Sequence, residues 1–206
     1  MSFSTASSRS TPTPLVLGSG SAIRRTMLEG VGLSFEIEPA TLDEESVKAG
    51  FDGDTSALAA ALAKGKAVDV SSRHPHAWVI GSDSIVECAG RRFDKPRSRD
   101  EAEEHLRLFS GCALTLFSAA ALARDGQIDW SGVDRAVLSV RPLSDQFIAE
   151  YLDDEWPAVS GCVGVFRMEG RGATLFEAVE GSHFTVLGMP LLSLLAALRE
   201  RGLMMA

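Results

Sequence analysis

A few charged residues in this chain stand where a sequence that only built a core would not place them. The first is Arg24, in the run Gly18-Ser19-Gly20-Ser21-Ala22-Ile23-Arg24-Arg25. On a helix, Ile23, Met27, Val31 and Leu28 fall at roughly 0°, 40°, 80° and 140°. Arg24 falls at about 100°, inside that apolar stripe, whereas Arg25 at about 200° lies outside it. An Arg on that face either meets an anion or pairs with an internal carboxylate, because an uncompensated buried charge is costly. The N–H groups from Ser21 to Arg24 add positive potential at the same helix end, which suits a phosphate group. Lys66 repeats the feature, continuing the apolar line of Leu58 and Leu62 while Lys64 points outward; it either snorkels or enters a cleft. Asp83 closes the apolar run Val79-Ile80-Gly81-Ser82-Asp83. The end of a buried strand is where α/β folds place ligand chemistry, although an Asp there also commonly turns the chain into a loop. Lys95-Pro96 sets another cation on a rigid turn.

The elements that must position these residues follow from the hydrophobic pattern. Leu15–Leu17 reads as a strand, and Ser21 caps a helix from Ala22 to about Val31, stopped at Gly32. Phe35–Glu38 reads as a strand, Leu42-Asp43-Glu44-Glu45 as an acidic loop and Thr55–Val70 as a long helix. Ala77–Gly81 is a buried strand that Ile85–Cys88 continues or pairs with, and Arg91–Phe93 follows the turn at Gly90. Ser98, with Glu101 at the capping-box position, opens a helix to Phe109. Ala113–Arg124 and Ile128–Arg141 form a long hairpin about Asp125-Gly126. Ser144–Asp153 is a capped helix, Val163–Phe166 and Ala173–Val179 read as strands, and Pro190–Arg201 as a closing helix. Strands mixed with helices predict an α/β or α+β fold with a mixed sheet.

The 206 residues include 20 Lys and Arg against 28 Asp and Glu, a formal charge of −8. That acidity excludes the concentrated positive field of a non-specific nucleic-acid or membrane-surface binder. Hydrophobic content of 45% excludes wholesale disorder. No stretch reaches the roughly 20 apolar residues of a membrane span. Cys88, Cys112 and Cys162 form no CxxC pair, which excludes a CxxC zinc site and fits a reducing cytosol. Residues 1–14, rich in Ser, Thr and Pro, read as a flexible tail before a single domain over 15–206. GxGxxG fails at Ile23, and neither a P-loop nor a GxSxG elbow occurs. His74-Pro75-His76 lies in a polar loop, and Cys88 and Cys112 read as small core residues.

Taken in order, these segments resemble the Maf family of nucleoside triphosphate pyrophosphatases. The resemblance rests on Leu17-Gly18-Ser19-Gly20-Ser21 with Arg24-Arg25, Leu42-Asp43-Glu44, Leu62-Ala63 with Lys66-Ala67, and Ile80-Gly81-Ser82-Asp83. It continues through Lys95-Pro96, Phe109-Ser110-Gly111, Glu180-Gly181-Ser182 and Gly188-Met189-Pro190-Leu191. It implies a two-lobed, Maf/ITPase-like α/β fold with an elongated mixed sheet and a central cleft. It also implies hydrolysis of a nucleoside triphosphate to the monophosphate and pyrophosphate with a divalent cation (Mg, Mn or Co). By matching position, Asp83 is the catalytic base, Ser19, Arg24, Lys66 and Lys95, with Ser21 beside them, bind phosphate, and Glu44 is an acidic residue near the metal. Glu44 and Asp83 are the candidate metal ligands, and the sequence leaves open whether Asp83 is base, ligand or both. The partners implied are a small-molecule nucleotide and, as an open option, a second copy of the chain, in the cytoplasm.

The chain departs from the family pattern at Ala22 (usually Pro), Ile23 (often Arg), Ser84 (commonly Thr) and Asp94 (frequently Gly before Lys-Pro). Ile23, Ser84 and Glu169 are the candidate specificity residues. In the resemblance, Glu at position 169 and an apolar residue at position 23 mark the branch preferring 7-methyl-GTP, whereas pyrimidine-preferring members carry Gln. The chemistry agrees: a carboxylate only accepts, matching the N1–H and N2–H₂ donors of guanine, whereas an amide suits thymine or uracil. Glu169 could equally begin a turn at Gly170 or pair with Arg167 or Arg171. The alternatives are a dTTP- or UTP-preferring enzyme and a nucleotide-binding regulator of cell division with little catalysis.

Overall fold

The computed structural model describes residues 14–205. The expected tail over residues 1–14 therefore lies outside the described residues except at Pro14, whose carbonyl accepts from the Trp78 amide at 2.9 Å and so already belongs to the sheet.

The chain runs β1 (Leu15–Leu17), α1 (Ala22–Gly30), β2 (Glu36–Ile37), α2 (Glu44–Ala49), α3 (Thr55–Ser71), β3 (Trp78–Cys88) and β4 (Arg91–Phe93). It continues with α4 (Arg99–Phe109), β5 (Ala113–Arg124), β6 (Gln127–Val140), α5 (Asp145–Glu155), β7 (Phe176–Glu180), α6 (His183–Val186) and α7 (Leu191–Glu200). Seven strands form one mixed sheet in the order β2-β1-β3-β5-β6-β7, with β4 also on β3. β1 is parallel to β2 and β3, and every other pairing is antiparallel. The spine is β3, β5 and β6, of 11, 12 and 14 residues. An 11-residue strand is roughly 35 Å long, enough to run through two cores.

Two cores do form, one toward each end of that spine. Toward one end, β1, α1 and α7 bury Leu17, Leu28, Ile80, Leu122 and Leu194, and α3 adds Leu58 and Leu62 on the opposite face of the sheet. Toward the other, α4 and α5 cover Val86, Phe109, Leu138, Ile148 and Tyr151. This is the two-lobed mixed sheet that the resemblance implied.

Three local expectations change. The acidic Leu42–Glu45 segment is not all loop: Asp43 accepts the Ser46 amide at 3.1 Å and starts α2 at Glu44. Val163–Phe166 is not a strand, because Val165 takes φ +57 and its amide turns back to the Cys162 carbonyl. Ala173–Val179 begins as a 3-10 turn over Arg171–Leu175, and only Phe176–Glu180 pairs with β6.

Candidate active site

Asp83 is not at the end of its strand. β3 continues to Cys88, and Asp83 pairs with Ala119 of β5 in mid-strand. The strand that ends there is β1, which pairs only as far as Leu17 against Ile80. β4 pairs with β3 only from Val86 onward. The edge of β3 between those two partners faces the opening between the lobes, so the rule about parallel strand ends applies through β1. A cleft of about 1020 Å³ opens at this point, lined by Ser19, Arg24, Glu44, Lys66, Asp83, Lys95 and Glu169 among others.

The alternation of β3 divides the site into two faces. Gly81, Asp83 and Ile85 face α3. A Cβ at Gly81 would lie 2.2 Å from the Ala63 carbonyl and 2.5 Å from the Ala67 amide, so only glycine lets α3 lie this close. That approach brings Lys66 to Asp83. The Lys66 ammonium is 2.5 Å from Asp83 Oδ1 and 2.8 Å from Glu44 Oε1, with the Lys66 and Asp83 side chains only 12% and 10% exposed. Partial burial works to raise the Glu44 pKa, but Lys66, assisted by Lys48 and Lys95, more than reverses this and holds the carboxyl below its ordinary range. Lys66 thus enters the cleft and does not snorkel.

Ser82 and Ser84 face the other way, toward α1 and the turn at Gly188. Arg24 is buried there and donates four hydrogen bonds to neutral oxygens. Nε bonds the Gly188 carbonyl at 2.9 Å, Nη1 the Ser19 hydroxyl at 3.2 Å and the Ser82 carbonyl at 2.9 Å, and Nη2 the Ser84 hydroxyl at 3.0 Å. Gly188 sits at φ +105, and a Cβ there would lie 3.2 Å from Ser84 Oγ, so glycine keeps this junction compact. Burial pushes the Arg24 guanidinium down, opposed by the charges of Asp83 and Glu44. The stripe position suggested a bound anion or an internal carboxylate; no carboxylate among the described residues bonds Arg24, and four of its five N–H groups are committed to neutral oxygens. Arg25 pairs with Glu29 at 2.7 Å on the exposed side of α1, as its helical phase required.

The remaining predicted residues separate in the same way. Ser19 is buried and accepts from both Arg24 and the Ser21 amide at 3.3 Å. Ser21 occupies the N-cap position but its hydroxyl makes no capping bond, which leaves the first-turn amides of α1 open toward the cleft. Ile23 lines the cleft from α1. Ser84, a candidate specificity residue, also lines the cleft; its hydroxyl is engaged with Arg24, Ser118 at 3.0 Å and the Gly188 carbonyl at 3.0 Å, because strand alternation turns it away from Asp83. Lys95 is exposed on the turn after β4 and has no ion-pair partner among the described residues. Glu169 lines the opposite wall, exposed and likewise unpaired among the described residues. Its two candidate partners are taken: Arg167 pairs with Glu155 at 2.7 Å, and Arg171 with Asp154.

Lys48 is a cleft residue that the sequence reading missed. It pairs with Asp94 at 2.5 Å. The available signal was its spacing of four from Glu44, which puts both on one face of α2 once Asp43 is recognised as a helix cap.

Asp83 and Glu44 converge on a single ammonium, so the same two carboxylates can converge on a cation of another kind. Among the described residues there is no group of three His, Cys, Asp or Glu that could enclose a metal. Two carboxylates suit a magnesium-like ion that takes its remaining ligands from water and phosphate oxygens.

Comparison with known proteins places the chain among named relatives. The chain is 45% identical over 193 residues to a 7-methyl-GTP pyrophosphatase of Rhizobium etli, covering 91% of this chain and 96% of the relative. It is 44% identical to a nucleoside triphosphate pyrophosphatase of Nitrobacter winogradskyi, covering 93% and 95%. A nucleoside triphosphate pyrophosphatase of Sphingopyxis alaskensis is also 44% identical, covering 92% and 98%. The family model described as Maf-like protein matches residues 14–201, from the first described residue to the residue that follows α7, and the chain belongs to the Maf family.

Proposed function

We propose that this protein is a nucleoside triphosphate pyrophosphatase that splits the α–β phosphoanhydride of guanine-type, 7-methyl-GTP-like nucleotides, using Asp83 as general base. The observation that carries the reading is the convergence of Asp83 and Glu44 in a cleft bordered by the open first turn of α1 and the exposed Lys95. Relatives named for these substrates support it.

A triphosphate brings about four negative charges, and fixed positive groups stabilise the charge that develops as it is cleaved. The α1 amides and Lys95 meet the phosphate chain, and Arg24 adds its charge from behind while holding Ser19 and β3 in place. Asp83 orients a water and takes its proton as the new oxygen–phosphorus bond forms at the α-phosphate. The bond from that phosphorus to the bridging oxygen breaks, and pyrophosphate leaves with the electron pair. Glu44 and Asp83 are the residues that would hold a divalent cation, and its chemistry there would be Lewis-acid polarisation of the phosphoryl group. Lys66, which lies between the same two carboxylates, would be free to turn toward the phosphates if a cation held them.

Glu169 supplies acceptors for a guanine edge, and a well-placed acceptor pair is worth roughly 1.5–3 kcal/mol, or about 10- to 150-fold discrimination. The test compares kcat/KM for 7-methyl-GTP, GTP, dTTP and UTP with Mg²⁺, Mn²⁺ or Co²⁺ and with EDTA, in wild type and Glu169→Gln. Guanine-type nucleotides should lead in wild type, fall toward the pyrimidines in Glu169→Gln, and lose turnover in EDTA. A preference for dTTP or UTP that the substitution does not move would contradict the base assignment; absence of pyrophosphate release from any nucleotide would favour a binding regulator.

A further inference from the structure

Asp94 puts a negative charge directly before Lys95, the exposed cation at the cleft rim. Left alone it would oppose the phosphate chain that Lys95 serves. The structure answers that charge from another element. Lys48, one turn along α2 from Glu44, reaches across to Asp94 at 2.5 Å, with its side chain 24% exposed and that of Asp94 60% exposed. Lys48 lines the cleft beside Glu44. Partial burial would push the Lys48 ammonium down, but Asp94, assisted by Glu44 and by Glu45 at 3.8 Å, more than offsets it. A second link joins the same two lips independently. Arg92 on β4 donates to Thr55 Oγ1 at 3.0 Å and to the Gly53 carbonyl, at the start of α3. The lips therefore have a link that does not involve Lys48, whose shortest ion pair is the one with Asp94.

We propose that Lys48 is a positioning residue for triphosphate binding: by pairing with Asp94 it neutralises the carboxylate next to Lys95 and leaves that lysine effective toward phosphate. This rests on the pyrophosphatase reading of the cleft. The phosphate chain does not need Lys48 itself; it needs Asp94 answered. Replacing Lys48 exposes a carboxylate at the phosphate-binding rim, and replacing Asp94 as well removes the need for Lys48.

The test is a double-mutant cycle on the full-length protein, measuring KM and kcat for pyrophosphate release together with calorimetric binding of inorganic tripolyphosphate, which needs no catalysis. Lys48→Met should raise KM and weaken tripolyphosphate by about three- to tenfold with kcat little changed, the pattern of lost uniform binding. Asp94→Asn should stay within about twofold of wild type. The double variant Lys48→Met/Asp94→Asn should return to within about twofold of wild type. The deficit of Lys48→Met should also shrink at high ionic strength, because the exposed charge is screened. A double variant as impaired as Lys48→Met would overturn the proposal and make Lys48 a direct phosphate ligand. A Lys48→Met protein that binds tripolyphosphate as wild type does would reduce the pair to a surface contact. Wild type that binds tripolyphosphate but hydrolyses no nucleotide would remove the pyrophosphatase reading while leaving the electrostatic role measurable by binding.

Discussion

On one face of β3, Arg24 gives its hydrogen bonds to Gly188, Ser19, Ser82 and Ser84, all neutral oxygens; on the other, Lys66 sits between the carboxylates of Asp83 and Glu44. Both cations come from the apolar stripe of a helix, and both are largely withdrawn from water. Their surroundings assign them different work. Arg24 has a planar fork with five donors, which can tie three segments distant in sequence into one junction. Its partners cannot change charge or leave with a ligand. Lys66 is a compact point charge on a flexible stem, and its partners are anions that a substrate-bound cation could claim. The Arg24 face is a fixed frame and the Lys66 face an exchangeable one.

Variants on the two faces should separate accordingly. The largest effect is expected at Asp83. Asp83→Asn should lower kcat by about 10²-fold or more, the usual scale for loss of a general base, while Lys66 keeps Glu44 and thermal unfolding changes little. Full activity in that variant would remove Asp83 from the mechanism. Arg24→Ala should do the reverse in kind. It takes the guanidinium donors from the buried carbonyls of Ser82 and Gly188, leaving Gly188 only the Ser82 and Ser84 hydroxyls, so urea unfolding should show a loss of about 2–4 kcal/mol, with activity falling as a consequence. Arg24→Lys should recover little of it, because one ammonium cannot span four acceptors. An Arg24→Ala protein of wild-type stability but raised KM would make Arg24 a phosphate ligand and dissolve the distinction.

Lys66→Met gives a subtler test. It leaves Asp83 and Glu44 facing one another, so added Mn²⁺ should raise the melting temperature by about 2–4 °C more than in wild type. Equal shifts would show that Lys66 and the metal do not share the carboxylates. The smallest effect is expected at Arg25, whose pair with Glu29 is exposed: Arg25→Ala should leave kcat/KM unchanged and stability within about 0.5 kcal/mol.

Helical phase alone located both cations, because periodicity reports which face of a helix a residue occupies. It could not report what that face meets. Arg24's partners lie 5 to 164 residues away along the chain, and the choice between a carboxylate and a carbonyl belongs to the packing. Asp83 was found for a reason that needed amending, since the strand that ends beside it is β1. α2 is six residues long, too short to show an apolar period, and Lys48 disappeared with it. Val163–Phe166 is apolar enough for a strand, yet the positive φ at Val165 is imposed by its surroundings, where Tyr151 donates to the Val165 carbonyl at 2.9 Å. The engagement of Ser84 with Arg24 and Gly188 was hidden for a simpler reason. A strand crossing the whole site gives adjacent residues opposite faces, and that continuity of β3 was undecided in the sequence.

The central claim is that water, activated at Asp83, attacks the α-phosphorus of a nucleoside triphosphate. A single turnover with 7-methyl-GTP or GTP in H₂¹⁸O, followed by mass spectrometry of both products, tests it most directly. The account predicts one ¹⁸O atom in the nucleoside monophosphate and none in the pyrophosphate. Label in the pyrophosphate would place the attack on the β-phosphorus and contradict the mechanism built on this cleft.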